Sequence, residues 1–231
     1  MRERIVVRKH ERINYSKNTF YTLLHTHHDK DNYIDYHWHN SIEITYVVKG
    51  LKVQCMEDEK IIAPTGTLLL VNSGVIHDID VKNGLEGIVL LIDRDYIDSI
   101  CPKCKDHGFS LKTNLDASKE IIDYLFKLVT AHEKNNLLDA HIIVLKIIKI
   151  LAEKLIVDGF YIKEKHDDES YELVISITEY IDYHYAQKIS LDDLARMTCY
   201  NKTSLSNIFK KRQVLFLSIY VMSECSIVYM N

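Results

Sequence analysis

The sequence predicts an α+β protein with a β-rich N-terminal region, a central helical hairpin and a small all-α C-terminal region. Three observations predict it. Short apolar runs separated by turn signals fill residues 33–92, the apolar spacing changes to three and four from about residue 115, and residues 189–212 spell out two short helices joined by a tight turn. Six of the 7 glycines lie between residues 50 and 108, where the turns of a β region need them, and none follows Gly159.

The β region reads SIEITYVV, LKVQCM, TLLLV, VIHDIDV and GIVLLID, punctuated by EDEK, NSG and NG. Runs of this length between tight turns suggest an antiparallel sandwich or barrel. LDASKEIIDYLFKLVTAHEK (115–134) and LLDAHIIVLKIIKILAEKLIVDGF (137–160) then form an αα-hairpin by pattern, with a break at the Asn pair between them. KEKHDDES (163–170) has charge and nothing to bury, so it reads as a linker, and ELVISITEYIDYHY (172–185) opens a further helical region. The domains are accordingly placed at 1–114 (β domain), 115–160 (hairpin), 161–170 (linker), 171–212 (short-helix unit) and 213–231 (an atypical tail).

Composition narrows the class. The chain has 231 residues, 47% hydrophobic and 27% charged, with a net charge of −4. That balance excludes a protein coating nucleic acid over its whole surface but leaves room for a local basic patch. The start, MRERIVVRKH, has no apolar core of a signal peptide, and the five cysteines fit a reduced cytoplasm better than a disulfide framework. The most apolar segment, 141–157, is interrupted by Lys146, Lys149, Glu153 and Lys154 near one helical face, so it is amphipathic and no membrane span is expected.

Within 189–212, Ser190 suits the N-cap of a helix carrying Leu191, Leu194 and Ala195 inward, and Asn201 can cap a second helix burying Leu205, Ile208 and Phe209. Residues 195–212 hold five Lys or Arg and no Asp or Glu. Two short helices of which the second is basic describe a helix-turn-helix, with double-stranded DNA as its partner. Lys202, Thr203, Ser206, Asn207, Lys210 and Lys211 line the outer face of the second helix, where Thr203, Ser206 and Asn207 are placed to reach base edges and Lys210 and Lys211 suit phosphates.

SLDDLA, TCYN and KTSLSNIFKK resemble the first helix-turn-helix of AraC/XylS-family transcription regulators. HWHNSIEITYVVKG resembles the first cupin motif of that family's sensor domain at His37, His39, Glu43 and Gly50, and GTLLLVNSGVIH resembles the second, with Asn72 where proline is common and His77 at its end. The resemblance runs from about residue 33 to 211. It implies a cupin-like barrel that binds a small-molecule effector, a homodimer formed through 115–160, a cytoplasmic transcription regulator and no enzymatic turnover. Cys199 stands where the family commonly has glycine; a positive φ there would cost a cysteine roughly 1 kcal/mol. The family pattern stops after Lys211, where a second helix-turn-helix would follow, so the resemblance implies a regulator truncated after its first unit.

His37, His39, Glu43 and His77 are expected to line the effector pocket. They are also the residue types that a divalent metal takes, which makes a metal the candidate cofactor and a metal-dependent cupin oxygenase or isomerase the alternative function. Four extended residues span roughly 13 Å, so His39 and Glu43 can meet only across a bend. A truncated regulator acting only through dimerisation is the further alternative. CPKCKDH (101–107) offers Cys101, Cys104 and His107 without a fourth zinc ligand, and HTHH (25–28) reads as a surface strand or loop.

Overall fold

The computed structural model describes residues 9–15, 19–56, 59–82, 84–105, 107–158 and 189–211, with isolated positions between 173 and 184. The chain divides into two compact units, the larger comprising Glu11–Ile34 with Trp38–Ile162 and the smaller Met1–His10, Asp35–His37 and Lys163–Asn231.

Eleven strands are described: β1 (Lys9–His10), β2 (Tyr21–His28), β3 (Asn32–Trp38), β4 (Ser41–Lys49), β5 (Leu51–Met56), β6 (Glu59–Pro64), β7 (Leu68–Val71), β8 (His77–Val81), β9 (Leu85–Asp93), β10 (Gly108–Phe109) and β11 (Ile156–Val157). They form a four-stranded sheet ordered β2-β9-β4-β7, a five-stranded sheet ordered β1-β3-β8-β5-β6, and the short β10-β11 pair. The expected barrel is therefore corrected to two sheets that do not close. The ladder breaks between β6 and β7, because β6 ends on Pro64, which has no N–H to donate, and Gly66 at φ +87° turns the chain into the other sheet.

β4 explains how the larger unit is layered. A strand with one solvated face alternates buried and exposed, yet Ser41 to Thr45 are all buried. Ile42 and Ile44 join Ile88, Leu90 and Ile92 of β9 in a core completed by Ile121, Leu125 and Leu128 of α2 (Leu115–Glu133) and Val144, Ile147 and Ile148 of α3 (Leu137–Ile150). Glu43, Thr45 and Val47 point the other way, where Val47 packs with Ala63 of β6 and Val81 of β8. The four-stranded sheet is thus covered by helices on one face and by the second sheet on the other.

The helices start where their caps dictate. Asn114 Oδ1 accepts from Ala117 N at the start of α2, and Asn136 Oδ1 accepts from Asp139 N at the start of α3. Asn135, at φ 51°, makes the turn between them. The helical period expected to reach residue 160 stops earlier: after a wide turn at Leu151–Leu155, the β-branched pair Ile156–Val157 becomes β11 and bonds to Gly108–Phe109. HTHH falls in β2, an edge strand paired along its length with β9. α1 (Arg94–Ile100) leads into the cysteine pair, and Cys101 and Cys104 are joined in a disulfide, where reduced thiols were expected.

In the smaller unit, α4 (Leu191–Thr198) and α5 (Lys202–Lys211) pack Leu194 and Leu205 with Ile177 and Ile189. Ser190 and Asp193 form a reciprocal capping box at α4, and Asn201 Oδ1 accepts from Ser204 N at α5. Cys199 adopts φ 58°, the left-handed region that favours glycine. The linker expected at 161–170, most of the segment at 172–185 and the tail from 213 lie outside the described residues.

Candidate functional site

The inner face of β4 places Glu43 and Thr45 between the sheets, and β5 places Lys52 opposite them. All three are buried: 5%, 3% and 3% of their surface is exposed. β3 ends at Trp38 and β4 begins at Ser41, and the bend between them brings His39 Nε2 to 3.2 Å from Glu43 Oε2. His77, at the start of β8, sets its Nε2 3.6 Å from the same oxygen. The other carboxylate oxygen, Oε1, accepts from Thr45 Oγ1 at 2.9 Å and from Lys52 Nζ at 3.4 Å. Both oxygens of Glu43 are therefore occupied, one by imidazoles and one by an ammonium and a hydroxyl.

Burial by itself would push the Glu43 carboxyl up. The Lys52 ammonium, the bond from His39 and the neighbouring His77 imidazole outweigh it and hold the group well below the usual carboxylate range. Glu43 thus stays a carboxylate inside the sandwich.

Beside this cluster is a cavity of about 620 Å³, lined by Met56 and Ile61 of the five-stranded sheet, Leu69 of β7, and Asn72, Val75 and Phe109. The volume falls within the roughly 300–1,000 Å³ of small-molecule pockets. Asn72, which stands at the position where proline is common in the motif, has a specific task here. Its Nδ2 donates to Phe109 O and its Oδ1 accepts from Phe109 N, both at 2.9 Å, so one side chain fixes β10 as a wall of the cavity.

A family model described as the AraC-like ligand binding domain matches residues 20–144. The chain belongs to this family. The match spans the four-stranded sheet, the five-stranded sheet without β1, the polar cluster, most of the cavity wall and much of the hairpin. Among curated relatives of this AraC-like chain, the uncharacterized HTH-type transcriptional regulator YdeC of Bacillus subtilis (strain 168) is 26% identical over 206 residues, covering 78% of this chain and 66% of the relative. The chain thus spans just under two thirds of that relative's length. Solved structures with likeness include an RmlC-like cupin from Shewanella frigidimarina NCIMB 400, 20% identical with a TM-score of 0.31 over 35% of this chain and 74% of its own. KdgF from a Halomonas species is 19% identical with a TM-score of 0.30, over 36% of this chain and 79% of its own.

The AraC-like domain brings together His39, Glu43 and His77 of the sequence-predicted set. His37 is buried in β3, and its Nδ1 lies 2.9 Å from Asp35 O. The residues that sequence reading missed are Thr45 and Lys52. Thr45 follows Glu43 by two residues on the same face of SIEITYVV, and Lys52 takes the inward face of LKVQCM, a strand read only for its apolar residues.

Metal fit divides along the cluster. His39 Nδ1 lies 3.2 Å from Ser41 O and His77 Nδ1 lies 3.0 Å from Val75 O, the backbone anchoring that turns the Nε2 atoms of metal-binding histidines toward an ion. Those imidazoles fit a divalent cation in type, and His37 is anchored the same way. Glu43 fits less well, because Lys52 already supplies it with a positive charge.

In the smaller unit Lys202, Thr203 and Asn207 of α5 are exposed and Ser206 is half-buried. Lys202 Nζ also pairs with Asp192 Oδ1 at 2.7 Å. The side chains of Lys210 and Lys211 lie outside the described residues. Among the described residues, no helix is long and apolar enough to cross a membrane.

Proposed function

We propose that this protein is a DNA-binding transcription regulator whose AraC-like domain senses a small-molecule effector between its sheets. The observation that carries the reading is the enclosed polar cluster of His39, Glu43, Lys52 and His77 beside a cavity of about 620 Å³, inside a domain of the ligand-binding family. The exposed Lys202, Thr203 and Asn207 on one face of α5, opposite the buried Leu205, support the DNA half. Thr203, Ser206 and Asn207 read bases in this proposal, and Lys202, Lys210 and Lys211 contact phosphates.

The direct test is fluorescence anisotropy with DNA from upstream of the protein's own gene, against a scrambled duplex, over a salt series. The regulator reading expects preference for one sequence at physiological salt. Asn207→Ala should weaken that site by roughly 1–3 kcal/mol while hardly changing affinity for the scrambled duplex. Equal binding to all duplexes would remove the sequence-specific half of the proposal.

A second reading is favoured by the Nδ1 anchoring of the histidines: a metal held by His37, His39 and His77 with Glu43, as in a cupin enzyme. A bound divalent ion would supply Lewis-acid polarisation to whatever fills the cavity. We give precedence to pocket lining because Lys52 already meets the Glu43 charge. Elemental analysis of the purified protein decides between them: pocket lining expects well under one equivalent of transition metal and no melting shift with chelator. One equivalent, lost in His39→Ala, would reverse that order.

A further inference from the structure

The CPKC stretch has no part in the polar cluster, yet the fold ties it to the cavity wall. Cys101 and Cys104 are joined in a disulfide across a short helical turn, Pro102–Cys104. A bridge with a sequence separation of 3 closes almost no loop, so it contributes little to holding the fold together. The two sulfurs are placed unequally. Cys101 is half-buried beside the exposed Pro102 and Lys103, while Cys104 is sealed in the core with Ile97 and Phe109. Arg94 of α1, itself buried, connects this turn to the wall. Its Nη2 donates to Cys104 O, its Nη1 donates to His107 O at 2.9 Å, and its guanidinium stands 5.5 Å from the centre of the Phe109 ring. Phe109 lines the cavity and is held there by Asn72. His107 Nε2 lies 3.3 Å from Asp158 Oδ1, and Asp158 also belongs to the lining.

We infer that Cys101 and Cys104 form a reversible redox site that exchanges with a low-molecular-weight thiol and its disulfide, and that its state sets how firmly β10 closes the cavity. The compartment supports this, and that support rests on the regulator reading proposed above. A chain that reads chromosomal DNA works among reducing thiols, where disulfides are transient or redox-sensing more often than structural. The exchange balances between the pair and its reagent. A thiolate RS⁻ attacks Cys101 Sγ, the Sγ–Sγ bond breaks, and its electron pair leaves on Cys104 Sγ, which takes a proton. A second thiolate attacks the RS sulfur of the mixed disulfide, giving RSSR and releasing the Cys101 thiolate. Two thiols are thereby oxidised and the protein disulfide is reduced by two electrons; with RSSR in excess the same steps run backward. Cys101 is the sulfur attacked because Cys104 has no exposed surface. On reduction the turn loses its covalent clasp. Cys104 O and His107 O, the acceptors that fix Arg94 beside Phe109, then rest on non-covalent contacts alone, so the wall opens more often.

The test equilibrates the full chain in glutathione buffers graded from disulfide-rich to thiol-rich, then quenches with acid, alkylates with N-ethylmaleimide and maps the adducts peptide by peptide. Both Cys101 and Cys104 are expected to be alkylated at the thiol-rich end and neither at the other, with the change reversible. Glutathione caught as a mixed disulfide is expected on Cys101 and not on Cys104. Amide hydrogen exchange is then followed on both forms. The Phe109 amide, which donates to Asn72 Oδ1, is expected to exchange roughly tenfold faster after reduction while α2 keeps its protection. Cys101→Ser changes only the half-buried partner and should show the faster exchange in every buffer. A disulfide that survives the thiol-rich end is a structural bond and overturns the inference. Glutathione on Cys104 in place of Cys101 overturns the assignment of the attacked sulfur. Equal Phe109 exchange in the two forms, or protection lost from α2 as well, overturns the link to the cavity wall. None of these readouts contains DNA or effector, so the regulator reading fails or stands separately.

Discussion

Glu43 and Lys52 are each nearly sealed from water, and each is tolerable there only because of the other. Taking either charge away leaves its partner buried and uncompensated, a loss of about 3–5 kcal/mol in comparable pairs. Glu43→Gln and Lys52→Met should therefore each destabilise the protein by that order, and the double variant should recover most of the loss, read by chemical denaturation at pH 7. The carboxyl is held below its ordinary value, so its contribution is present above about 4.5, the unfolded value, and is lost as pH falls through the folded one. Below pH 4.5 the wild type should lose stability steeply and Glu43→Gln should not; parallel acid limbs would mean the pair does not set them. The sequence made part of this site legible. Its histidines and Glu43 stand out because such residue types are scarce in a strand otherwise read as core. Lys52 did not, because a charged side chain on an alternating strand ordinarily faces solvent, and only the second sheet makes that face interior.

At the scale of elements, patterns with a long period were readable and closure was not. The three-and-four spacing over 115–134 is α2, and the Asn pair that broke the pattern supplies both the left-handed turn at Asn135 and the cap at Asn136. Whether sheets close depends on which edges bond. That is fixed by single residues such as Pro64 and by a crossover from β7 to β4, neither of which strand propensity records. The end of α3 was likewise hidden, because Ile156 and Val157 continue the apolar pattern while adopting extended backbone. On α3 one apolar stripe has no partner within the chain's described residues: Leu138, Ile142 and Leu145 are 72%, 42% and 39% exposed at spacings of four and three. Its inner face is filled by Ala140, Val144, Ile147 and Ile148, so the stripe is surplus to the core and suits a second copy of the helix. Leu138→Glu with Ile142→Glu should convert a dimer to a monomer in sedimentation without lowering the helix signal in circular dichroism. A wild-type chain that sediments as a monomer at micromolar concentration would leave the stripe without that role.

For the whole molecule, a dimer formed through the α3 stripe would be coupled to the DNA proposal through electrostatics, and the coupling can be measured. Each phosphate neutralised on duplex DNA releases condensed counterions, so the logarithm of affinity falls with the logarithm of salt at a slope of about −0.9 per phosphate contact. The net charge of −4 shows that the chain as a whole repels DNA, so the contacts must come from a local set such as Lys202, Lys210 and Lys211. If two copies engage one site, the wild-type slope counts both sets, and the Leu138→Glu, Ile142→Glu variant should show about half that slope on the same duplex, with the specific site weakened more than the scrambled one. Lys202→Gln in the dimeric background removes one contact per copy and should reduce the slope by about 1.8 while sparing sequence preference. The two substitutions act at separate places and so should combine additively. A slope unchanged by the monomer-forming variant would assign all the phosphate contacts to one copy, and the α3 stripe would then have to be explained by something other than DNA recognition.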